Sequence, residues 1–234
     1  MQILIDVGIV LASYLFGAIP FGLVIVKFLT GKDVRTIESG RTGGTNVARA
    51  AGWWAGLLTA ILDALKAAAT VWLSRAITGN EWVHTLAPIA AILGHNYSVF
   101  LAERDERGRL RLRGGAGGAA SLGGAVGLWA PSALIILPIG GLIYYFVGYA
   151  SVTTMSVAFM AVIIFAVRTA LGLSPWQYIL YGALAEVLLV LALLPNIKRL
   201  AKGTERLHGW RAKRQQKKPV KETGARSVRH GNVG

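Results

Sequence analysis

Residues 116–148 read AGGAASLGGAVGLWAPSALIILPIGGLIYYFVG, and the number of times this stretch crosses a lipid bilayer decides the fold. It carries no charged side chain over 33 residues. A helix needs roughly 20 apolar residues to span the hydrocarbon layer. The stretch is therefore long for one crossing and tight for two. Read one way it is a single tilted helix; read the other it is two shorter helices hinged at Pro131.

The rest of the chain resolves the choice. Only 15% of its 234 residues are charged and mean hydropathy is +0.52, whereas a soluble domain carries about 25% charged residues. Further apolar stretches occupy 3–29, 53–78, 83–101, 150–167 and 175–195. The first lacks a basic leader and a small-residue cleavage site, so it reads as a retained span. Cationic residues gather in three places: Lys27, Lys32, Arg35, Arg41 and Arg49; Arg104, Arg107, Arg109, Arg111 and Arg113; and the C-terminal segment. From Lys198 onward 12 Lys/Arg face two Glu, so +10 of the net +14 sits there. The positive-inside rule puts all three groups on the cytoplasmic side. From Arg113 to the tail the chain must then cross an even number of times, which makes 116–148 two crossings. The expectation is an all-α integral membrane protein, a polytopic bundle of seven transmembrane helices, with five helices plus re-entrant segments as the alternative. Residues 1–206 form the membrane domain, and 207–234 a basic, disordered cytoplasmic tail.

With no cysteine, disulfides and thiolate chemistry are excluded. The polar residues that carry chemistry lie on the cytoplasmic face. ESGRTGGTNVARAAG (38–52) offers Gly40, Gly43 and Gly44 for close backbone approach, Ser39, Thr42, Thr45 and Asn46 as donors, and Arg41 and Arg49 as fixed charge. A glycine-rich turn before a helix makes an anion nest; a topology signal is the plainer reading. Asp63 and Lys66 stand one helical turn apart, either as a functional pair inside a span or as a local ion pair. His95 and Asn96 close the third helix near the same face. RGGAGGAASLGG (113–124) reads as a phosphate loop entering a helix N-terminus or as a close-packing surface; the arginines upstream favour the first. No GK[ST] follows, so it is not a nucleotide loop, and HExxH and GxSxG are absent. In NIKRLAKGTE (196–205), Asn196, Lys198, Arg199 and Lys202 can meet phosphate or headgroups, and Glu205 can pair with an arginine or orient a base. The basic tail lacks interleaved aromatics beyond Trp210, so it reads as attracted to anionic lipid and not to nucleic acid.

Taken together and in this order, SYLFGAIPFG (13–22), SGRTGGTNVARAAG (39–52), LDALK (62–66), GHNYSVFL (94–101), GGAGGAASLG (114–123) and NIKRLAKGTE (196–205) resemble the acyl-phosphate:glycerol-3-phosphate acyltransferase family of bacteria (PlsY). The resemblance implies a multi-pass enzyme of the bacterial inner membrane with a cytoplasmic active site. It would pass a fatty acyl group from acyl phosphate to the 1-hydroxyl of sn-glycerol 3-phosphate, with no cofactor, metal or nucleic acid. Carried over by position, it assigns Ser39, Arg49, His95 and Asn196 to catalysis. To substrate binding it assigns Arg41, Gly43, Gly44, Thr45, Asn46, Lys66, Arg113, Gly114, Gly115, Gly117, Ser121, Ser151, Lys198 and Glu205. The chain departs from the family's KGGKG at Ala116 and from its SGNxGATN at Arg41 and Gly44, and ERDERGRLRL (103–112) reads as an insertion. Arg41, Arg109 or Arg111 would then supply the missing charge. A divergent paralogue acting on another phosphorylated acceptor, a non-catalytic lipid-binding protein or a small-anion transporter are the alternative readings.

Overall fold

The computed structural model describes residues 1–216. The first apolar stretch forms two helices, α1 (Gln2–Ala18) and α2 (Phe21–Thr30). The break follows from Pro20, which has no N–H and forces Ile19 out of the helical region, here to ψ 118°. The chain then makes a short 3-10 turn at Val34–Thr36 and enters α3 (Gly44–Ala51) and α4 (Trp53–Ile77), separated at Gly52. Helix α5 (Glu81–Asn96) follows. Beyond it lie α6 (Gly118–Leu128), α7 (Ser132–Phe146), α8 (Ala150–Ala170), α9 (Gln177–Ala201) and α10 (Gly209–Gln216).

The uncharged 116–148 stretch therefore forms two helices, parted at Trp129–Pro131. Among the described residues four segments are long and apolar enough to cross a membrane: Gln2–Thr30 taken across its break, α4, α8 and α9; α5, α6 and α7 are shorter. Large apolar side chains such as Leu4, Phe28, Leu134, Leu137 and Phe159 face outward, as lipid-facing positions do. The core gathers Val71 of α4, Ile92 of α5, Ala120 and Ala125 of α6, Phe165 of α8 and Tyr181 and Leu189 of α9. At its centre α6 lies against α4: a Cβ on Gly123 would come 1.9 Å from the Ala64 carbonyl oxygen. The small residues of 118–127 thus serve close helix packing.

Two segments differ from the sequence expectation. The third apolar stretch ends as a helix at Asn96, and residues 98–113 form a hairpin of β1 (Ser98–Arg104) and β2 (Leu110–Arg113). Among the described residues the fold is helical apart from this hairpin. The RLRLR alternation has the period of a strand. Asp105 closes the turn by accepting from the amides of Arg107 and Arg109. The second difference lies at 207–216, expected to be disordered. There α10 is docked on α7: the His208 ring stacks on Tyr144, and the His208 amide donates to Gly148 O at 2.8 Å. The rest of the expected disordered tail, 217–234, lies outside the described residues.

Candidate functional site

A cleft of about 1090 Å³ opens at one end of the bundle. Three helices begin at it. The starts of α3 (Gly44, Thr45), α6 (Gly118, Ala119) and α8 (Ala150, Ser151) all line its wall. The first amides of a helix have no intrahelical acceptor, and none of these three helices has a side-chain cap at its N-terminus. The cleft thus collects uncapped N–H groups and three positive dipole ends.

The loop before α3 is shaped from inside. Asn46, buried, donates through Nδ2 to the carbonyls of Val34, Ile37 and Arg41 at 3.1, 2.9 and 2.9 Å. It ties the glycine turn closed while lining the cleft with Gly43. The glycine-rich loop before α6 is pinned beside it. Thr42 N donates to Gly114 O, and Gly115 N to His95 O at 2.8 Å. A Cβ on Gly115 would fall 2.0 Å from His95 Nε2, so only glycine lets this backbone lie on the imidazole. Gly117, at φ 84°, then turns the chain into α6.

Beneath the loops lies a buried trio. Lys66 Nζ is 2.8 Å from Asp63 Oδ1, 3.1 Å from His95 Nδ1 and 3.0 Å from the Ile19 carbonyl. The ammonium is hydrogen-bonded to the Ile19 carbonyl and His95, and its contact with Asp63 is an ion pair. Asp63 and His95 reach the cleft surface, and Lys66 supports them from below.

Among the described residues four arginines line the cleft: Arg41, Arg49, Arg199 and Arg206. Arg41 crosses it, donating to Gly115 O at 3.3 Å and to Ala192 O on α9. Burial, reinforced by Arg199, lowers its pKa from the ordinary arginine value. Of the three arginines expected to compensate for Ala116, it is the one in place. Arg109 pairs with Asp105, and Arg111 lies in β2 opposite Glu103. Arg113 pairs with Glu103 at 3.1 Å, and Arg35 holds the same carboxylate and Asp33, so these charges tie the hairpin to the first loop.

Glu205 accepts from Ser151 Oγ at 2.7 Å and from Asn196 Nδ2 at 3.2 Å, drawing α8, α9 and the segment after α9 together. Ser39 stands exposed on the rim, its Oγ accepting from the Arg41 amide at 3.4 Å. Six of the expected contacts do not line the cleft: Lys66, Gly114 and Gly115 lie behind its wall, and Arg113, Ser121 and Lys198 lie elsewhere. Ser121 is buried with its carbonyl taking the Tyr181 hydroxyl, Arg113 faces the hairpin, and Lys198 is exposed outside the cleft. Sequence reasoning gave no role here to Arg206 and His208, which fall at or past its boundary at 206, nor to the apolar wall of Trp53, Leu57 and Ala60. The signal for the last was the run of exposed apolar positions on α4.

A helical bundle with an outward apolar surface and an arginine-lined cleft at one end defines an integral membrane protein with a cationic pocket. The family profile described as glycerol-3-phosphate acyltransferase matches residues 7–203, and the chain belongs to that family. It is 37% identical over 207 residues to a glycerol-3-phosphate acyltransferase of Thermus thermophilus, covering 86% of this chain and 94% of the relative. It is 32% identical to the enzyme of that name from Rubrobacter xylanophilus, covering 89% and 98%. Among solved structures it resembles PlsY, an integral membrane glycerol 3-phosphate acyltransferase, in its glycerol 3-phosphate form. That match has a TM-score of 0.74 and 30% identity, over 87% of this chain and 96% of the other. The lysophosphatidic acid form gives a TM-score of 0.72 at 28% identity, over 87% and 95%.

Proposed function

We propose that the chain transfers a fatty acyl group from acyl phosphate to the 1-hydroxyl of sn-glycerol 3-phosphate, releasing lysophosphatidate and inorganic phosphate as a step in phospholipid synthesis. The observation that carries the proposal is the convergence of three uncapped helix starts and four arginines on one cleft with an apolar α4 wall. Two phosphate-bearing substrates need many cationic and amide donors side by side, and a fatty chain needs an apolar exit. Trp53 and Leu57 supply that exit, since both line the cleft and are 62% and 43% exposed on the outer face of α4.

Acyl phosphate is already activated, so the residues position and stabilise charge. The acceptor hydroxyl oxygen attacks the acyl carbon, the bond from that carbon to the phosphate oxygen breaks, and the phosphate leaves with the bonding electrons. Ser39, Thr45, Ser151 and Asn196 bind substrate around this centre, Arg49 and Arg41 neutralise phosphate, and the Gly43–Thr45 and Gly117–Ala119 amides receive developing negative charge. At His95 the shorter Nδ1 contact is with Lys66. A lysine ammonium only donates, so Nδ1 accepts and the ring carries its hydrogen on Nε2, the nitrogen beside Gly115. In that tautomer His95 donates to an oxyanion, and the hydroxyl proton goes to a phosphate oxygen of the substrates.

Seven crossings fit this placement. At the end away from the cleft, Arg75 of α4 donates to the Gly127 and Leu128 carbonyls of α6 and to Tyr178 of α9, which in turn donates to Glu81 of α5. Helix α6 thus runs from the cleft end to the opposite end and α7 returns, bringing Tyr144 back to the cleft. The cleft end, with the three basic segments, faces the cytoplasm of a bacterial inner membrane.

The direct test supplies the purified protein, in lipid, with acyl phosphate and glycerol 3-phosphate and follows lysophosphatidate and phosphate. Stoichiometric release of both is expected. No turnover, with a related enzyme active alongside, overturns the proposal.

A further inference from the structure

The family profile ends at residue 203, yet the cleft does not. Past Gly203 the chain runs as a strap across the cleft mouth, placing Glu205, Arg206 and His208 in the lining before α10 begins. The strap is fastened on both sides. Glu205 binds Ser151 and Asn196, and Arg206 meets Glu38 at 3.3 Å. His208 is held by its amide to Gly148 O and by its ring on Tyr144, while Arg211 donates to Val147 O and lies over the Tyr149 ring. What this fixed ring presents to the cleft is Nε2, 3.4 Å from an Arg49 guanidinium nitrogen.

We propose that His208 is a positioning residue for Arg49: the neutral imidazole accepts from the guanidinium and holds it against the cleft wall, ready for the acceptor's phosphate. This rests on the acyl-transfer reading above. A guanidinium has five N–H donors, so a contact to His208 leaves others for an anion. Holding a long side chain in its bound geometry lowers the ordering cost of binding. The contact works only while the imidazole is neutral, because a protonated ring would turn an N–H toward a cation.

The surroundings keep it neutral. Arg49 comes from α3 and Arg206 from the strap; Glu205 is the opposing charge and Tyr144 of α7 covers the ring face. Burial lowers the His208 pKa below its ordinary 6.5, Arg49 and Arg206 lower it further, and Glu205 opposes them. The sign follows from a depressed value. The latch is fully present above pH 6.5 and is lost as pH falls through the lower pKa of the folded protein.

Two variants separate the latch from mere packing. His208→Phe keeps an aromatic ring on Tyr144 and removes the acceptor. His208→Gln keeps an acceptor and removes the titration. At pH 7.5 His208→Phe is expected to raise KM for glycerol 3-phosphate on the order of tenfold, as for loss of a hydrogen bond to a charged group, with kcat little changed. His208→Gln is expected to stay near wild-type KM and to lose the part of the acidic rise in KM that wild type shows. The substrate phosphate ionises near pH 6, so that rise is read as the difference between wild type and His208→Gln. An unchanged KM in folded His208→Phe, or an identical acidic limb in His208→Gln, overturns the proposal.

A titration of the His208 ring by NMR needs no turnover, so it separates failure of this inference from failure of the acyl-transfer reading. The ring is expected to titrate below 6.5 and to move upward in Arg49→Ala. No movement would likewise overturn the latch.

Discussion

Lys66 is 2% exposed, hydrogen-bonded to His95 and the Ile19 carbonyl and ion-paired with Asp63. Replacing it with methionine leaves Asp63 as a buried carboxylate facing only a histidine. Breaking a buried pair from one side costs about 3–5 kcal/mol, so Lys66→Met is expected to unfold at a clearly lower temperature in detergent. Asp63→Leu combined with Lys66→Met is expected to recover much of that loss, because it removes both charges. A double variant as unstable as the single one would contradict this account. Arg41 carries the complementary prediction for activity. It bridges Gly115 O and Ala192 O across the cleft, so Arg41→Ala is expected to lower kcat/KM on the order of 100-fold, as for removal of one charge-stabilising donor. Arg41→Lys is expected to restore only part, since a point charge cannot keep two carbonyls and a phosphate oxygen together. At this scale the sequence was legible where chemistry and spacing agree. Gly43, Gly44, Thr45, Asn46, Arg49 and His95 all reach the cleft. It was not legible where rotation about a helix decides: Ser121, three residues into α6, is fully buried and does not line the cleft.

Among the elements, α6 carries both readings of its glycines at once. Its N-terminal residues open into the cleft, and further along it is narrow enough to lie on α4. Gly123→Val is expected to abolish assembly, because its Cβ would meet the Ala64 carbonyl 1.9 Å away; Gly141→Val on α7 meets nothing within 4 Å and is expected to be tolerated. Yield and thermal stability of the two purified variants check this. Loss of both, or of neither, would show that close α4–α6 approach is not what the glycines serve. Hydropathy announced the α6–α7 pair because Pro131 divides an uncharged run. The β1–β2 hairpin was hidden in the same kind of reading. Its residues 98–101 continue the apolar run of α5, and only the alternation of 109–113 has a strand period. Nothing local marked α10 as docked, since its partners are Tyr144, Val147, Gly148 and Tyr149 on the α7–α8 corner, more than 50 residues upstream.

For the whole molecule, α6 sets an unusual constraint. Its 11 residues rise only about 16 Å, against about 30 Å of hydrocarbon, yet it joins the cleft to the opposite end of the bundle. The parity of charged loops argues for seven crossings even though three of the segments, α5, α6 and α7, are shorter than a typical span. The chain's lack of cysteine makes the topology directly measurable with single introduced thiols and an impermeant maleimide. Exposed positions at Lys32, Glu106 and Lys202 are expected to label from one side, and Gly79, Ala130 and Leu173 from the other. Ala130, between α6 and α7, is the deciding position. Labelling with Gly79 and Leu173 supports two crossings by 116–148; labelling with Lys32 and Glu106 makes α6 and α7 re-entrant and reduces the bundle to five spans.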